Sequence, residues 1–254
     1  MLNKLISPHG GKLINCYCDS AESNQYKNDA VNYQSWTLTD RQLCDLELIL
    51  NGAFSPLDGF MNQSCYNSVL ENNRLSDGNV WSMPIVLDVK SDLADKVEIK
   101  DNLALRDKEG YLIAIIKISD KWNYDKNLEA EKVYGTTDIT HTGVRYLFEN
   151  GGDVCLGGEV IGVEHPHHHD FLDIRLGPTE TREYFENNNW NKIVAFQTRN
   201  PMHRAHKEIM QRAAEEIGGK AFLHPVVGMT KQGDVDYFTR VRCYQKIIKK
   251  FPDN

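Results

Sequence analysis

One polar segment, Gln197–His206 (QTRNPMHRAH), constrains the fold more than any other part of this 254-residue chain. The apolar run Ile193–Phe196 before it predicts a buried strand, and Pro201 suits the first position of a helix. A strand that passes through a short polar loop into a helix is typical of parallel α/β sheets. The N–H groups and positive dipole end of such a helix, together with the guanidinium of Arg199, predict a site for a polyanion such as a nucleotide phosphate chain.

The segments around this loop repeat the alternation of strand and helix. Hydrophobic spacing predicts a helix over Met202–Ile217, a strand over Ala221–His224 and a helix over Thr239–Phe251. The first of these helices is expected to bury one stripe of residues, namely Met202, Ala205, Ile209, Ala213 and Ile217. The order β-α-β-α begins a parallel doubly wound sheet, in which ligands bind at the carboxyl ends of the strands. Gln197 and Pro225 both fall at such ends.

The part of the chain before this sheet predicts a β-rich domain. Thr39 and Gln42 form a capping-box pattern that opens a helix, and Asn51-Gly52 ends it. The predicted strands are Trp81–Val89, with Pro84 as an edge or bulge signal, Val97–Lys100 and Leu103–Arg106 as a hairpin, Tyr111–Ser119 after a turn at Asp107–Gly110, and a strand pair within Gly151–Val163. Short strands with turns at regular spacing predict a small barrel.

The histidine-rich segment His165–Asp170 separates the two patterns, so we predict domains over residues 1–165 and 166–254. Three adjacent histidines (167–169) invite a metal interpretation, but neighbouring side chains point in different directions on any regular element. A polar linker is the favoured interpretation.

Composition limits the class of protein. The formal net charge of -7 and the lack of a basic stripe with interspersed aromatic residues argue against nucleic-acid binding. No apolar run approaches the ~20 residues of a membrane helix, and no signal peptide is recognisable. Six scattered cysteines favour a reducing cytoplasm over a disulfide framework. Cys16-x-Cys18 predicts a strand with both thiols on one face, and no metal site is predicted.

Four segments, in order along the chain, resemble the ATP sulfurylase (sulfate adenylyltransferase) family. Gln197–His206 is similar to the signature Q-x-R-N-P-x-H-x-x-H without a gap. Asn51–Met61 resembles the early block N-G-x-F-S-P-L-x-G-F-M, and Val133–Asp138 resembles (V/F)-(F/Y)-G-T-T. Much of His224–Asp236 resembles the loop after the second strand of the catalytic domain.

The resemblance implies a PUA-like β-barrel domain followed by a Rossmann-like nucleotidyltransferase domain. We expect this second domain to be truncated, because two strands are too few for a doubly wound sheet. The family's second motif, resembling G-R-D-H-A-G, supplies another arginine and backbone contacts to sulfate, and this sequence contains no such motif. The implied reaction converts ATP and sulfate into adenosine 5′-phosphosulfate and pyrophosphate, or the reverse. Mg²⁺ would arrive with ATP, and a homo-oligomer is expected.

The resemblance also implies roles for individual residues. It places Gln197 and Arg199 on sulfate, Thr198 and Asn200 against the phosphates, and His203 and His206 on the β and γ phosphates; Thr198, Arg199 and Asn200 are the catalytic candidates. The backbone of Val226, Val227 and Gly228 is expected near adenine or ribose. A polar loop follows with Thr230, Lys231, Asp234 and Asp236, of which Lys231 or Asp234 would touch substrate or magnesium, unless the loop is simply solvated. The Phe54–Phe60 segment is expected to be structural.

Three alternatives stay open at this point. The first is a nucleotide- or anion-binding fragment without turnover, the second is a nucleic-acid-binding module that uses the barrel, and the third is a metallohydrolase that uses His203 and His206. The net acidity counts against the second alternative. The lack of a carboxylate or third histidine at a suitable spacing counts against the third.

Overall fold

The structure is a computed structural model, and it describes residues 5–228 and 233–251. The chain divides by its internal contacts into two units. The first runs from Ser7 to Thr179, and the second begins at Glu180 and includes Ile6. Each has its own sheet, six-stranded in the first unit and two-stranded in the second. Among the helices that the structure describes, none has both the length and the apolar character of a membrane span.

The first unit surrounds its six-stranded sheet with short helices. Its strands are β1 (Gln34–Thr37), β2 (Gly59–Phe60), β3 (Leu87–Val89), β4 (Asn102–Arg106), β5 (Leu112–Asn123) and β6 (Val154–Gly162). Its helices are α1 (Ser20–Asp29), α2 (Asp40–Leu50), α3 (Gln63–Asn72), α4 (Ser91–Ala94), α5 (Lys126–Glu129), which continues as a π-helix over Ala130–Tyr134, and α6 (Thr142–Glu149). Short 3-10 turns lie at His9–Gly11, Ala30–Asn32 and Leu172–Ile174. The strand order is β1-β4-β5-β6-β2, with β3 also paired to β6.

The long antiparallel pair of β5 and β6 forms the centre of this unit. Successive residues of β5 belong to two hydrophobic clusters, because side chains alternate between the faces of a strand. Ile116 packs in the main cluster with Leu46 of α2, whereas Ile115 packs in a smaller cluster with Ala30 and Val163. β5 is therefore buried on both of its faces.

Two predictions for this unit are confirmed, namely the capping box that opens α2 and the strand that begins near Tyr111. The N–H of Gln42 donates to Oγ1 of Thr39 at 3.2 Å, and the N–H of Thr39 donates to Oε1 of Gln42 at 3.1 Å. This capping box opens α2, which ends at Leu50 as predicted. The strand predicted over Tyr111–Ser119 is also present, and it extends to Asn123.

The hairpin predicted around Asp101-Asn102 is wrong. Residues 97–100 form no strand, and Lys100 has a φ of 83°, which interrupts an extended strand. The actual hairpin joins β4 to β5 through the turn Asp107–Gly110, where Oδ1 of Asp107 accepts the N–H of Tyr111 at 2.9 Å. An aspartate that binds the backbone ahead of it stabilises this turn instead.

Two further strand predictions need correction. Of Trp81–Val89, only Leu87–Val89 is a strand, because only these residues find a partner, in β6. The segment Gly151–Val163 contains one strand rather than a pair. Its neighbours β5, β2 and β3 come from other parts of the chain, so its pairing is not local.

The predicted barrel is not established by the strand pairing. In the part of the chain that the structure describes, β1 pairs with β4 alone, and β2 and β3 pair with β6 alone. These pairs do not join the two ends of the sheet, so a closed barrel stays a prediction.

The second unit has the predicted alternation of helices and parallel strands. Its elements are α7 (Pro178–Asn187), β7 (Ile193–Thr198), α8 (Arg204–Ile217), β8 (Lys220–Pro225) and α9 (Tyr237–Ile248). β7 and β8 pair in parallel from Ile193 opposite Lys220 to Thr198 opposite Pro225. The carboxyl ends of the two strands therefore lie side by side, as the sequence predicts.

Two expectations for this unit are wrong. β7 is not fully buried, because Ala195 and Gln197 are exposed on a sheet of only two described strands. Helix α8 begins at Arg204 rather than at Met202, and of the predicted buried stripe only Met202 is buried. Met210 and not Ile209 packs inward, with Ile209 59% exposed, because the row of α8 that faces the sheet contains Met210 and Ala214.

Candidate anion and nucleotide site

The loop after β7 is held in a tight turn by the last residue of the strand. Thr198 is buried, and its Oγ1 accepts the N–H of Asn200 at 3.1 Å. Gln197, Arg199 and Asn200 are exposed. The backbone of the turn is thus fixed while three polar side chains, including a guanidinium with its fork of donors, are accessible to a ligand.

Helix α8 presents its N-terminus directly after this turn. His203 is the N-cap residue, and its backbone N–H donates to Nδ1 of His206 at 3.2 Å. Because Nδ1 accepts this hydrogen bond, the neutral ring of His206 carries its proton on Nε2. The two rings lie 5.4 Å apart between centroids. An imidazole N–H donor therefore lies at a helix start whose first N–H groups lack partners within the helix.

The loop after β8 begins beside the loop after β7. The N–H of Val226 donates to the carbonyl oxygen of Thr198 at 2.9 Å, which continues the strand ladder by one residue. Val226 and Val227 are partly exposed, and Gly228 has a φ of 95°, in the left-handed region that glycine adopts without strain. An apolar surface thus adjoins the polar turn.

Two residues of α9 bind the backbone of these loops, and the sequence interpretation did not identify them as part of the site. Arg240 is only 3% exposed, and its Nη1 donates to the carbonyl oxygens of Arg199 and Val226, the latter at 3.1 Å. The hydroxyl of Tyr244, one turn later, donates to the carbonyl oxygen of Asn200. A signal was present, since an arginine beside Val241 on the buried side of a helix requires buried acceptors.

The protonation of these groups follows from their surroundings. Burial raises the pKa of Tyr244, while the hydroxyl of Thr198 and the charge of Arg240 act in the opposite direction. Tyr244 therefore keeps its proton at neutral pH and remains a hydrogen-bond donor. Hydrogen bonds from the Thr239 backbone and side chain lower the pKa of Asp236, whose carboxylate caps α9.

The structure brings most of the predicted site residues to one edge of the sheet. Gln197, Thr198, Arg199, Asn200, His203 and His206 lie at the end of β7, and Val226, Val227 and Gly228 lie at the end of β8. Thr230 and Lys231 lie outside the described residues. Asp234 is half-buried, and Asp236 serves as the cap of α9. Within residues 5–228 and 233–251, no group of three or more His, Cys, Asp and Glu side chains is placed to hold a metal ion.

The segment Phe54–Phe60 has contacts that fit a structural role. Ser55 is buried, and its Oγ accepts the N–H of Ile14 at 2.9 Å and donates to the carbonyl oxygen of Gly52 at 2.6 Å. The aromatic ring of Phe60 is part of the main hydrophobic cluster. The segment is therefore tied to the interior of the first unit.

The histidines of the 165–170 segment contact separate elements. The ring of His165 lies 4.0 Å from that of Tyr17, the ring of His167 lies 5.2 Å from that of Tyr111, and Nε2 of His168 lies 2.7 Å from Oε1 of Glu47. These contacts hold the segment against the first unit, in keeping with the different directions of neighbouring side chains.

The cysteine pair forms less regular structure than expected. Only Tyr17, between the two cysteines, makes a β-bridge, which pairs it with Gly162. The predicted strand is therefore reduced to a single bridge. Burial raises the pKa of Cys16 to about 11, so its sulfur is a thiol at neutral pH.

The parallel strands, the polar turn and the capped helix define an α/β nucleotide-binding fold that follows a separate β-rich unit. Comparison with known families agrees with this organisation. The model of the PUA-like domain matches residues 6–165, and that of ATP-sulfurylase matches residues 172–254. The chain belongs to the ATP sulfurylase (sulfate adenylyltransferase) family.

Individual relatives show how much of the family's length is present. The chain is 46% identical over 250 residues to the sulfate adenylyltransferase of Eremothecium gossypii. The matched region covers 98% of this chain and 50% of that protein. The chain is 49% identical over 236 residues to that of Schizosaccharomyces pombe, covering 92% of this chain and 48% of that protein. A solved structure described as a hexameric APS kinase from Thiobacillus denitrificans has a TM-score of 0.78 and 34% identity, covering 98% of this chain and 45% of that chain. The chain thus spans about half the length of the curated relatives it matches.

Proposed function

We propose that this chain carries the sulfate- and nucleotide-binding loops of a sulfate adenylyltransferase. This enzyme transfers the adenylyl group of ATP to sulfate, giving adenosine 5′-phosphosulfate and pyrophosphate, or catalyses the reverse reaction. The observation that carries the proposal is the position of Arg199, whose side chain is exposed on a turn held by Thr198 next to the N-terminus of α8. Membership of the family supports the choice of substrates.

The chemistry suits a site rich in donors. A sulfate oxygen attacks the α-phosphorus, the bond between this phosphorus and the bridging oxygen of the β-phosphate breaks, and pyrophosphate leaves on the opposite side. Sulfate is already a dianion at neutral pH, so the attack needs no general base. Positioning of the reactants and stabilisation of the charge that develops must supply most of the acceleration.

The residues around the turn have complementary roles in the proposal. Gln197 and Arg199 hold sulfate, since a guanidinium offers paired hydrogen bonds that lysine does not reproduce. Thr198 and Asn200 contact the phosphates. His203 and the Nε2–H of His206 bind the β and γ phosphates, where the dipole of α8 also favours negative charge. These donors would stabilise the leaving pyrophosphate.

The nucleoside and the metal complete the proposal. The backbone of Val226, Val227 and Gly228 would lie against adenine or ribose. The side chains around the turn are amides, imidazoles and a guanidinium rather than carboxylates, which is not the oxygen-rich donor set that Mg²⁺ prefers. Mg²⁺ would therefore enter with ATP, held by phosphate oxygens and water, and would offset phosphate charge.

The finer description of the architecture belongs to the same proposal. We propose a PUA-like barrel over residues 1–165 and a Rossmann-like nucleotidyltransferase domain over residues 166–254. A homo-oligomer is proposed as well, and the hexameric relative supports it by analogy.

A second candidate function is nucleotide binding without turnover. It is supported by the lack of a G-R-D-H-A-G motif within these 254 residues and by the exposure of Ala195 and Gln197 on one face of β7. In this case the chain would bind ATP and pyrophosphate but would form no adenosine 5′-phosphosulfate.

The test combines ligand binding with product formation. Calorimetry would measure the binding of Mg²⁺-ATP and of sulfate to the chain and to its variants Arg199→Ala and Arg212→Ala. Arg212 is the control, since it is an exposed arginine of α8 that pairs with Glu208. Pyrophosphate release would be followed on the same chain and on the full-length product of its gene.

We expect Arg199→Ala to lose ATP and sulfate binding while Arg212→Ala keeps both. Pyrophosphate release by the chain or by the full-length product would establish the adenylyltransferase activity. Binding without turnover in both forms favours the second candidate, and equal binding by both arginine variants would refute the assignment of the loop.

A further inference from the structure

We infer that Arg240 and Tyr244 are positioning residues that set the geometry of the substrate site by locking the loops after β7 and β8 together. The inference deepens the proposed function, on which its substrate assignments rest. Its structural part depends only on hydrogen bonds from α9 to backbone carbonyls of the two loops.

Arg240 connects the two loops through a single atom. Its Nη1 donates to the carbonyl oxygen of Arg199, the first residue after β7, and to that of Val226, the first residue after β8. Because one nitrogen holds both carbonyls, the loops cannot separate without breaking a charged hydrogen bond. Such bonds are stronger than those between neutral groups, and Arg240 is buried away from competing water.

Tyr244 fixes the first loop at a second point. Its hydroxyl donates to the carbonyl oxygen of Asn200, while the N–H of Asn200 donates to Oγ1 of Thr198. Both backbone groups of Asn200 are thus engaged. The position of this turn therefore depends on α9 as well as on β7.

The orientation of the carbonyls matters for anion binding. Carbonyl oxygens carry partial negative charge and would repel a sulfate or phosphate group. Arg240 and Tyr244, both 3% exposed, donate to two successive carbonyls of the turn, so these carbonyls are engaged by buried donors. The side chains of Arg199 and Asn200 remain exposed, so the accessible face of the turn presents donors.

The two positioning residues have different expected effects on ligands. ATP would contact both loops, with its phosphates at the first and its adenosine at the second, whereas pyrophosphate would contact the first loop alone. Loss of the Arg240 link should therefore lower the affinity for ATP about tenfold or more and the affinity for pyrophosphate about threefold or less. The difference arises because binding of ATP depends on preorganisation of both loops. Loss of the Tyr244 hydroxyl should weaken both ligands by a similar factor.

The experiment measures binding of Mg²⁺-ATP and Mg²⁺-pyrophosphate by calorimetry on the chain, on Arg240→Met and on Tyr244→Phe. Each variant removes the donor and keeps an apolar side chain of similar reach. Matched controls are Arg242→Met, an exposed arginine of the same helix, and Tyr184→Phe, an exposed tyrosine of α7. Neither control should change either affinity.

Amide hydrogen exchange tests the same inference without a ligand. The N–H groups of Asn200 and Val226 are hydrogen-bonded in the turn and should exchange faster in Arg240→Met. Only Asn200 should exchange faster in Tyr244→Phe. Amides in the middle of α8 should be unchanged in both variants, which would show that the second unit remains folded.

The outcomes separate this inference from the proposed function. Faster exchange in the turn, with no binding by the unmodified chain, supports the positioning role and refutes the proposed substrates. Unchanged exchange in both variants overturns the inference, whatever the chain binds. Equal loss of ATP and pyrophosphate affinity in Arg240→Met, together with faster exchange throughout α8, overturns it as well, because Arg240 would then only stabilise the fold.

Discussion

Replacement of Asp88 by alanine should destabilise the first unit by about 3 kcal/mol. Asp88 is 4% exposed, and its carboxylate accepts hydrogen bonds from the guanidinium of Arg41, from Nε2 of Gln42 at 3.1 Å and from the N–H of Gly152 at 2.5 Å. One side chain thereby joins α2, β3 and the segment that enters β6. Alanine would leave these donors in place without their acceptor.

The magnitude follows from what each donor retains. The amide of Gln42 keeps the carbonyl oxygen of Asp88 at 2.7 Å, so it loses little. Arg41 keeps Asp45, at 2.7 Å from its Nη1, and its side chain is 32% exposed, so its loss is roughly 1–2 kcal/mol. The buried N–H of Gly152 has no other acceptor among the residues that the structure describes, and leaving it unsatisfied costs roughly 1–3 kcal/mol. The sum centres on about 3 kcal/mol.

The assay is urea unfolding followed by tryptophan fluorescence, with Trp122 buried in the same core as a probe. About 3 kcal/mol corresponds to a fall in the melting temperature of about 6–12 °C for a unit of this size. Asp92→Ala, at an exposed position on α4, should change stability by less than about 0.5 kcal/mol. If Asp88→Ala were as stable as Asp92→Ala, the carboxylate would not be the acceptor on which these donors depend.

Three further predictions concern the first unit. Burial raises the pKa of Glu129 above its unfolded value of 4.5, so its carboxyl destabilises the fold increasingly as the pH rises past that value. Glu129→Gln should therefore gain stability over wild type at pH 7 in urea titrations and show no gain at pH 4. Gly59→Ala would place Cβ 1.9 Å from the carbonyl oxygen of Gly158 and should lower the melting temperature far more than Gly110→Ala. A Cβ at Gly110 would have no heavy atom within 4 Å, so that variant has only the backbone strain of a φ of 91°. Thr39→Ala should cost about 1 kcal/mol in chemical unfolding, since it removes the cap of α2.

The parts of the fold that the sequence predicted correctly are those decided by neighbouring residues. The capping box of Thr39 and Gln42 and the turn Asp107–Gly110 both consist of hydrogen bonds within a few positions of the chain. The strand–loop–helix order around Gln197–His206 is similarly local. Residue types at fixed spacing are enough to predict such features.

The errors arise where a distant partner decides the outcome. Residues 81–86 have strand-like composition but join no ladder of the described strands, whereas Leu87–Val89 pair with β6. On α8 the spacing predicted that Ile209 is buried, whereas the structure buries Met210 and leaves Ile209 exposed. A single sequence contains the period of a helix but not the direction of the surface against which it packs.

The candidate site divides in the same way. Arg199, His203 and His206 could be chosen as candidates because anion binding demands particular side chains in a particular order. Arg240 and Tyr244 instead bind backbone carbonyls, which every residue possesses, so the sequence indicates a need for buried acceptors but not which residues supply them.

The proposed adenylyl transfer would depend mainly on how the reactants are positioned. When the substrate needs no proton transfer, the rate depends on how accurately the donors are held relative to sulfate and the α-phosphorus. A shift of the turn by a fraction of an ångström would weaken every contact of Arg199 at once. The buried face of α9, which touches no substrate in the proposal, should therefore tolerate substitution as poorly as the turn itself. In a systematic substitution series, Arg240 and Tyr244 should group with Arg199, and the exposed Arg242 should group with ordinary surface positions.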